Sequence, residues 1–468
     1  MRMHLSVILV CGLAVGLCPA KVRAQGHEGS ESAQPRPEKM AEPSPMAVAL
    51  LDLARELVGK GQTDTATNAV ARALEMAPSL AEVVAADPVL AELAAQREPV
   101  REAPQPPPKL GGESLDVWLT GSQIWSSPAF DEGVVYFGSD DGFLYSLTLE
   151  PLMPRWRFMT AGRVRSTPAI SHGRVLFTSD DGFLYCVGSE DGEEIWRFKL
   201  GGADVARVLP SLYPPRSYDF LASSPVVAGG LVVVGSADGS VYAVDCESGR
   251  KRWRFRTDGM IRATPTVRGN VVYIGSWDHN LYALDLSRGR ERWRFDTGGV
   301  VQSTAAVGES RVFVGSRSGS LFAVDADSGE LVWKLDLDDG SWVESSPVYA
   351  DDHVYVGSSD ALQLLAVNAA DGSVAWTYPT GGWTWSTPAV TEARVYVGAI
   401  SSFPYYHRGT ELHHGLHAVD RQSGELLWKI ETADLPGYLT GGVVSAPLVV
   451  EGRVVFGSLD HHLHVVRE

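Results

Sequence analysis

The sequence predicts an all-β eight-bladed propeller, four antiparallel strands to a blade, preceded by a small α-helical segment. Three observations carry this. The tripeptide Ser/Ala-(Ser/Thr/Ala)-Pro/Ala recurs from Ser126, Ser166, Ser223, Ala263, Ser303, Ser345, Ser386 and Ser445. After each copy, alternating apolar runs flank a polar turn, as in VVYFGSDDGFLYSL, which marks a hairpin. A further turn then leads to a tryptophan on a fourth strand: Trp156, Trp196, Trp253, Trp293, Trp333, Trp376 and Trp428. The commonest repeat spacing is 40 residues, and four strands at that period is the mark of a propeller blade.

The repeats also close on themselves. The eighth stops at Glu468 without a tryptophan strand, whereas LDVWLTGS ahead of the first repeat supplies Trp118. A strand near 115–121 is therefore expected to complete the last blade, leaving no open sheet edge in the ring.

Ahead of the ring, residues 1–24 read as a signal peptide. Arg2 gives a positive start, LSVILVCGLAVGL an apolar stretch too short for a membrane span, and VRA a cleavage site after Ala24. Lipoprotein signals place a small residue before the cysteine, but Leu17 precedes Cys18. The chain thus reads as periplasmic or secreted rather than lipid-anchored, with no transmembrane segment. Polar, Pro-rich residues 25–45 form a disordered tether. Residues 46–98 form a helical hairpin similar to a tetratricopeptide repeat, with Leu50, Leu53, Ala54 and Leu57 on one helix and Ala66, Val70 and Ala73 on the next. A third short helix is expected near 88–97. Residues 99–112 are a stiff Pro-rich linker, and 113–468 are the propeller.

The chain carries 57 acidic and 40 basic residues, a formal charge of −17, which argues against a general nucleic-acid binder. Beyond the signal only Cys186 and Cys246 remain, expected as buried, inert thiols rather than a disulfide framework.

The segments AVDCESGRKRW, ALDLSRGRERW, AVDADSGELVW, AVNAADGSVAW and AVDRQSGELLW share Ala, Gly and Trp at positions 1, 7 and 11. This resembles the tryptophan-docking motif of the pyrroloquinoline quinone (PQQ) repeat family, the quinoprotein dehydrogenase-like propellers, over about three quarters of the chain. Trp118, Trp156, Trp196, Trp253, Trp293, Trp333, Trp376 and Trp428 then serve as structural docking residues. Alanine is expected to clear room for an indole of the adjoining blade, and glycine to make the tight turn. Each buried indole removes roughly 200 Å² from water, about 5 kcal/mol of gross transfer energy. Blade 1 departs from the motif with Leu152 at the glycine position, and blade 2 with Cys186 in place of alanine.

With strands lettered A to D from the axis outward, D–A and B–C connections share one face. Two long insertions fall there, 201–220 and 399–414. Their Tyr213, Arg216, Tyr218, Phe403, Tyr405, Tyr406 and Arg408 suit a protein-binding rim, or are solvated loop residues. The residues preceding the tripeptides should ring the axial mouth on this face: Trp125, Arg165, Ala222, Arg262, Gln302, Glu344, Trp385 and Val444. Two arginines, a carboxylate and two indoles would suit an anionic ring compound, or form a polar funnel whose charges cancel.

The histidines of HHGLH (413–417) and DHHLH (460–464) show no fixed ligand spacing between blades 7 and 8, so no metal is assigned. His417 and His464 take the place of Tyr282.

The resemblance allows a PQQ- and Ca²⁺-dependent alcohol or sugar dehydrogenase. Such enzymes use a tryptophan floor, commonly a vicinal disulfide, Glu and Asn metal ligands, and an aspartate base. Only Trp385 and Glu344 have obvious counterparts here. The resemblance equally covers propeller lipoproteins of the outer-membrane β-barrel assembly machinery, which are non-catalytic docking rings. The sequence is read as a monomeric exported scaffold without cofactor, binding an envelope or extracellular protein partner. A quinoprotein dehydrogenase and a small-molecule or glycan sensor are the alternatives.

Overall fold

The protein is seen in a computed structural model that describes residues 112–201, 219–337, 340–402, 413–435 and 439–468 of the ring. Of the helical segment it describes 78–95 and the single positions 51, 54, 55, 58, 70 and 74. The signal, tether and linker expected from the sequence lie outside the described residues.

Eight antiparallel sheets follow one another along the chain, each a four-stranded meander. The last is assembled from both ends. Strands Leu448–Val450, Arg453–Gly457 and His462–Arg467 supply A, B and C, and Ser114–Leu119 supplies D. In that closing pair Val117 stands opposite His464 and Trp118 opposite Leu463. The expected N-terminal closure is therefore present. Blade 7 carries one addition: Leu439–Gly442 pairs with the extended B strand Arg394–Ser402.

Alternation along the strands fills the space between blades. The B and C strands are buried on both faces, as in Val134–Gly138, because each blade is covered by two neighbours. Apolar clusters accordingly straddle each junction, such as Val233, Ala243, Val272, Ile274 and Tyr282 between blades 3 and 4. Leu463 and Val465 meet Val135 and Leu147 across the closing junction.

The docking motif works somewhat differently from the sequence expectation. The alanine lies opposite the tryptophan of its own blade, Ala243 against Trp253 and Ala283 against Trp293. The glycine is what the neighbouring indole meets. A Cβ on Gly289 would lie 2.4 Å from the Trp253 ring and one on Gly329 2.6 Å from the Trp293 ring, with φ of 65° and 74°. Those glycines therefore serve the turn and the indole together. The indole N–H then donates to a carbonyl of the next blade: Trp253 to Leu286 at 2.7 Å, Trp293 to Ala326 at 3.0 Å, Trp333 to Ala369 at 2.9 Å. Trp156, Trp196 and Trp376 do the same. The Trp118 and Trp428 indole nitrogens are buried without a hydrogen-bond partner.

One junction is polar. Between blades 6 and 7, Tyr378 Oη lies 2.9 Å from His417 Nδ1, where blades 4 and 5 bring Phe295 against Phe322. Burial, helped by nearby His413 and Lys429, pushes the His417 imidazole from its usual 6.5 to about 3. The unfolded chain takes up this proton near pH 6.5 and the folded chain does not, so stability is lost as pH falls from about 6.5 towards 3. Tyr378→Phe with His417→Phe, copying the blade 4–5 junction, is expected to flatten that part of the pH profile. Urea midpoints at pH 7 and pH 4 measure it.

In the helical segment, α1 (Ala81–Ala86) and α2 (Pro88–Ala95) follow a 3₁₀ turn at Pro78–Leu80. The sequence reading anticipated α2 but not α1. Leu80, Val84, Leu90 and Leu93 bury against Leu51, Ala54 and Val70, and Asp87 caps α2 through Val89 N–H at 3.0 Å. Cys186 and Cys246 are free and buried, and burial raises both thiols, Cys186 to about 12.

Candidate functional site

All eight residues that precede the tripeptides line a single axial cavity of about 420 Å³. The residues two positions further on, still ahead of the A strands, line the same cavity as a lower tier. Ser127, Ser224, Thr264 and Ser346 form much of that lower tier. Their hydroxyls accept backbone N–H groups of adjacent blades, Thr167 N to Ser224 Oγ at 2.9 Å and Ala446 N to Ser127 Oγ at 2.8 Å.

The mouth is filled by the protein itself. Phe220, the last residue of the 201–220 insertion, stacks on Trp385 at 4.5 Å between centroids and leans on Trp125 at 5.7 Å. Trp383 stacks on the other side of Trp385 at 4.8 Å. Leu439, Val444 and Leu459 complete this apolar plug.

The charges are paired as well. Arg165 makes a bidentate bond to Asp140, at 2.7 and 2.6 Å, lies over the Trp125 ring, and donates to the Phe220 carbonyl. Arg262 pairs with Asp219 at 2.5 Å. Glu344 accepts from Arg317 and from the Gln302 amide, and the Arg317 guanidinium sits between the Trp277 and Trp342 rings. All these side chains except Trp277 and Trp342 are nearly inaccessible to solvent. The Gln302 carbonyl oxygen is buried in the cavity wall without a partner.

A positional rule explains the pairs. The residue that follows the B-strand serine in one blade lies beside the mouth residue of the next. Asp140 thus meets Arg165, Arg317 meets Glu344, and Ser359 Oγ accepts the Trp385 indole N–H at 3.0 Å. Ala237 holds that position beside Arg262, and the required carboxylate comes instead from Asp219 of the insertion. Sequence reasoning found the ring of eight but missed Asp140, Asp219, Phe220, Arg317 and Trp383. The signal for Asp140 and Arg317 was their shared register in the repeat.

Tyr213, Arg216, Tyr218, Phe403, Tyr405, Tyr406 and Arg408 lie outside the described residues. A second cavity of about 560 Å³ is lined by residues of blades 1 to 4, among them Asp140, Asp180, Arg163 and Arg262. No described helix is long and apolar enough to cross a membrane.

Fold and mouth together define the class as an eight-bladed propeller of PQQ-like repeats. Within it, the chain belongs to the family described as outer membrane protein assembly factor BamB, which matches residues 111–215, 180–302 and 278–459. No curated protein is significantly similar in sequence. Among solved structures, BamB from Moraxella catarrhalis is 18% identical with a TM-score of 0.58, over 76% of this chain and 99% of that one. A europium-containing methanol dehydrogenase is 13% identical with a TM-score of 0.59, over 76% and 93%. The quinohemoprotein alcohol dehydrogenase from Comamonas testosteroni is 14% identical with a TM-score of 0.59, over 77% and 76%. Identities this low speak to fold alone, and both binding rings and enzymes share it.

Proposed function

We propose that this chain is an exported, non-catalytic scaffold that binds a protein partner through its D–A/B–C face, in the assembly of envelope proteins. One observation carries the reading: the axial mouth is occupied by Phe220 and its arginines are matched by the chain's own carboxylates. A quinone with calcium does not suit these residues. Phe220 takes the stacking face of Trp385, Asp140 and Asp219 take the guanidinium groups, and Glu344 is engaged by Arg317 and Gln302. The proposed partner surface is the loop face around this mouth rather than a cofactor site at its centre. The family's description as an assembly factor supports the same reading.

The test has two arms. Titration with PQQ plus Ca²⁺ is expected to give no saturable heat; saturable binding lost in Glu344→Ala would reinstate the dehydrogenase. Envelope partners captured by the full chain should be lost when residues 202–218 and 403–412 are deleted. Retention of every partner would place binding on another face.

A further inference from the structure

Blade 8 contains a cluster that the scaffold reading does not use. Four blades share one B–C device: an aspartate at the turn accepts the backbone N–H two residues on and the tyrosine hydroxyl four residues on. Asp141–Tyr145, Asp181–Tyr185, Asp238–Tyr242 and Asp278–Tyr282 all do so, at 2.6 to 2.8 Å. Blade 8 keeps the aspartate, Asp460, but replaces the tyrosine with His464 and adds His462, where the four blades have Phe143, Phe183, Ser240 and Asn280. Residues two apart on a strand face the same side, so Asp460, His462 and His464 converge.

Their ligating atoms lie within 4.8 Å of one another. His464 Nε2 is 3.3 Å and His462 Nδ1 is 3.4 Å from the same oxygen, Asp460 Oδ1. A tetrahedral zinc with bonds of about 2.05 Å has ligand–ligand edges of about 3.3 Å, so both separations already match. We propose that Asp460, His462 and His464 form a binding site for a divalent transition-metal cation of the zinc class. Two imidazoles and a carboxylate suit zinc and its neighbours rather than calcium or magnesium, which prefer oxygen donors. Three protein ligands leave a fourth position for water or a partner's side chain.

The surroundings hold the ligands in place. Phe456 stacks on His464 at 4.9 Å, Ala433 N donates to Asp460 Oδ2 at 3.1 Å, and Thr120 fixes the His461 carbonyl through its N–H and hydroxyl, both at 2.9 Å. Without metal, His462 Nδ1 donates to the Asp460 carbonyl oxygen at 2.9 Å, and metal takes the place of that proton. His462 remains a third exposed, which leaves an entry path.

The test is a calorimetric titration of the untagged full chain with Zn²⁺, with Ca²⁺ and Mg²⁺ as controls. One zinc per chain is expected, and no saturable heat from the controls. His464→Tyr restores the Asp–Tyr bond of four other blades, so the fold should persist, as circular dichroism would verify, while affinity falls at least tenfold. His462→Ala should act alike, and His413→Ala with His414→Ala should leave binding unchanged. Absence of saturable zinc binding would overturn the proposal. So would zinc binding that survives His464→Tyr, or that is lost only with His413 and His414.

Discussion

A chain beginning at Ser122 is expected to form a markedly less stable ring than one beginning at 111. The eleven missing residues contain the D strand of blade 8, which pairs with His462–Arg467 and brings Trp118 to the closing cluster. They also contain Gly112, whose position against the Trp428 ring leaves no room for a side chain. Losing one buried tryptophan costs about 3–5 kcal/mol, and here a backbone ladder and the Thr120 bonds go with it. In a domain of this size the melting temperature should drop by about 5 °C or more. The strand His462–Arg467 then becomes a free edge, so aggregation on heating should appear only in the shorter chain. Calorimetric scans with light scattering measure both. Equal melting temperatures would mean that the ring does not depend on its closing strand.

Arg165→Met should cost about 3–5 kcal/mol, because it strands the Asp140 carboxylate in a nearly inaccessible site. Arg163, at 3.7 Å and largely solvent-facing, offsets only part of this. Asp140→Leu combined with Arg165→Met should recover most of the loss, since an apolar pair of similar volume suits this plug of Trp125, Phe220 and Trp385. By contrast, truncating the exposed Arg252 that pairs with Asp245 should leave the urea midpoint close to that of the parent chain. Urea denaturation of the two single variants and the double variant gives the coupling directly; additive costs would refute it. The result also bears on ligand studies. An Arg165→Ala variant that fails to bind something reports on folding unless its stability is measured alongside.

Much of this architecture was legible because it is periodic. The tripeptide and tryptophan positions recur at a blade's length, so strand order, closure through Trp118 and the ring of eight mouth residues followed from counting. The plug was not legible for the opposite reason. Asp219 and Phe220 lie at the end of an insertion that no other blade repeats, and they act on Arg262 and Trp385 from distant positions in the chain. Asp140 and Arg317 were hidden differently: each belongs to a repeated turn, but its partner stands in the following blade. Glu344 consequently read as a lone acid. The Asp460, His462 and His464 spacing stands in DHHLH as a period of two at one strand end, whereas the HHGLH group suggested a pairing between blades 7 and 8.

The unbonded indoles of Trp118 and Trp428 have a kinetic meaning. They belong to the two junctions on either side of blade 8, the blade that joins the chain's ends, while the other six junctions each carry an indole-to-carbonyl bond. Local opening therefore has its lowest cost there, and blade 8 acts as a clasp through which the circle breathes. Fluctuations on the millisecond scale should concentrate at this seam, leaving the arc from blade 1 to blade 7 as a rigid body.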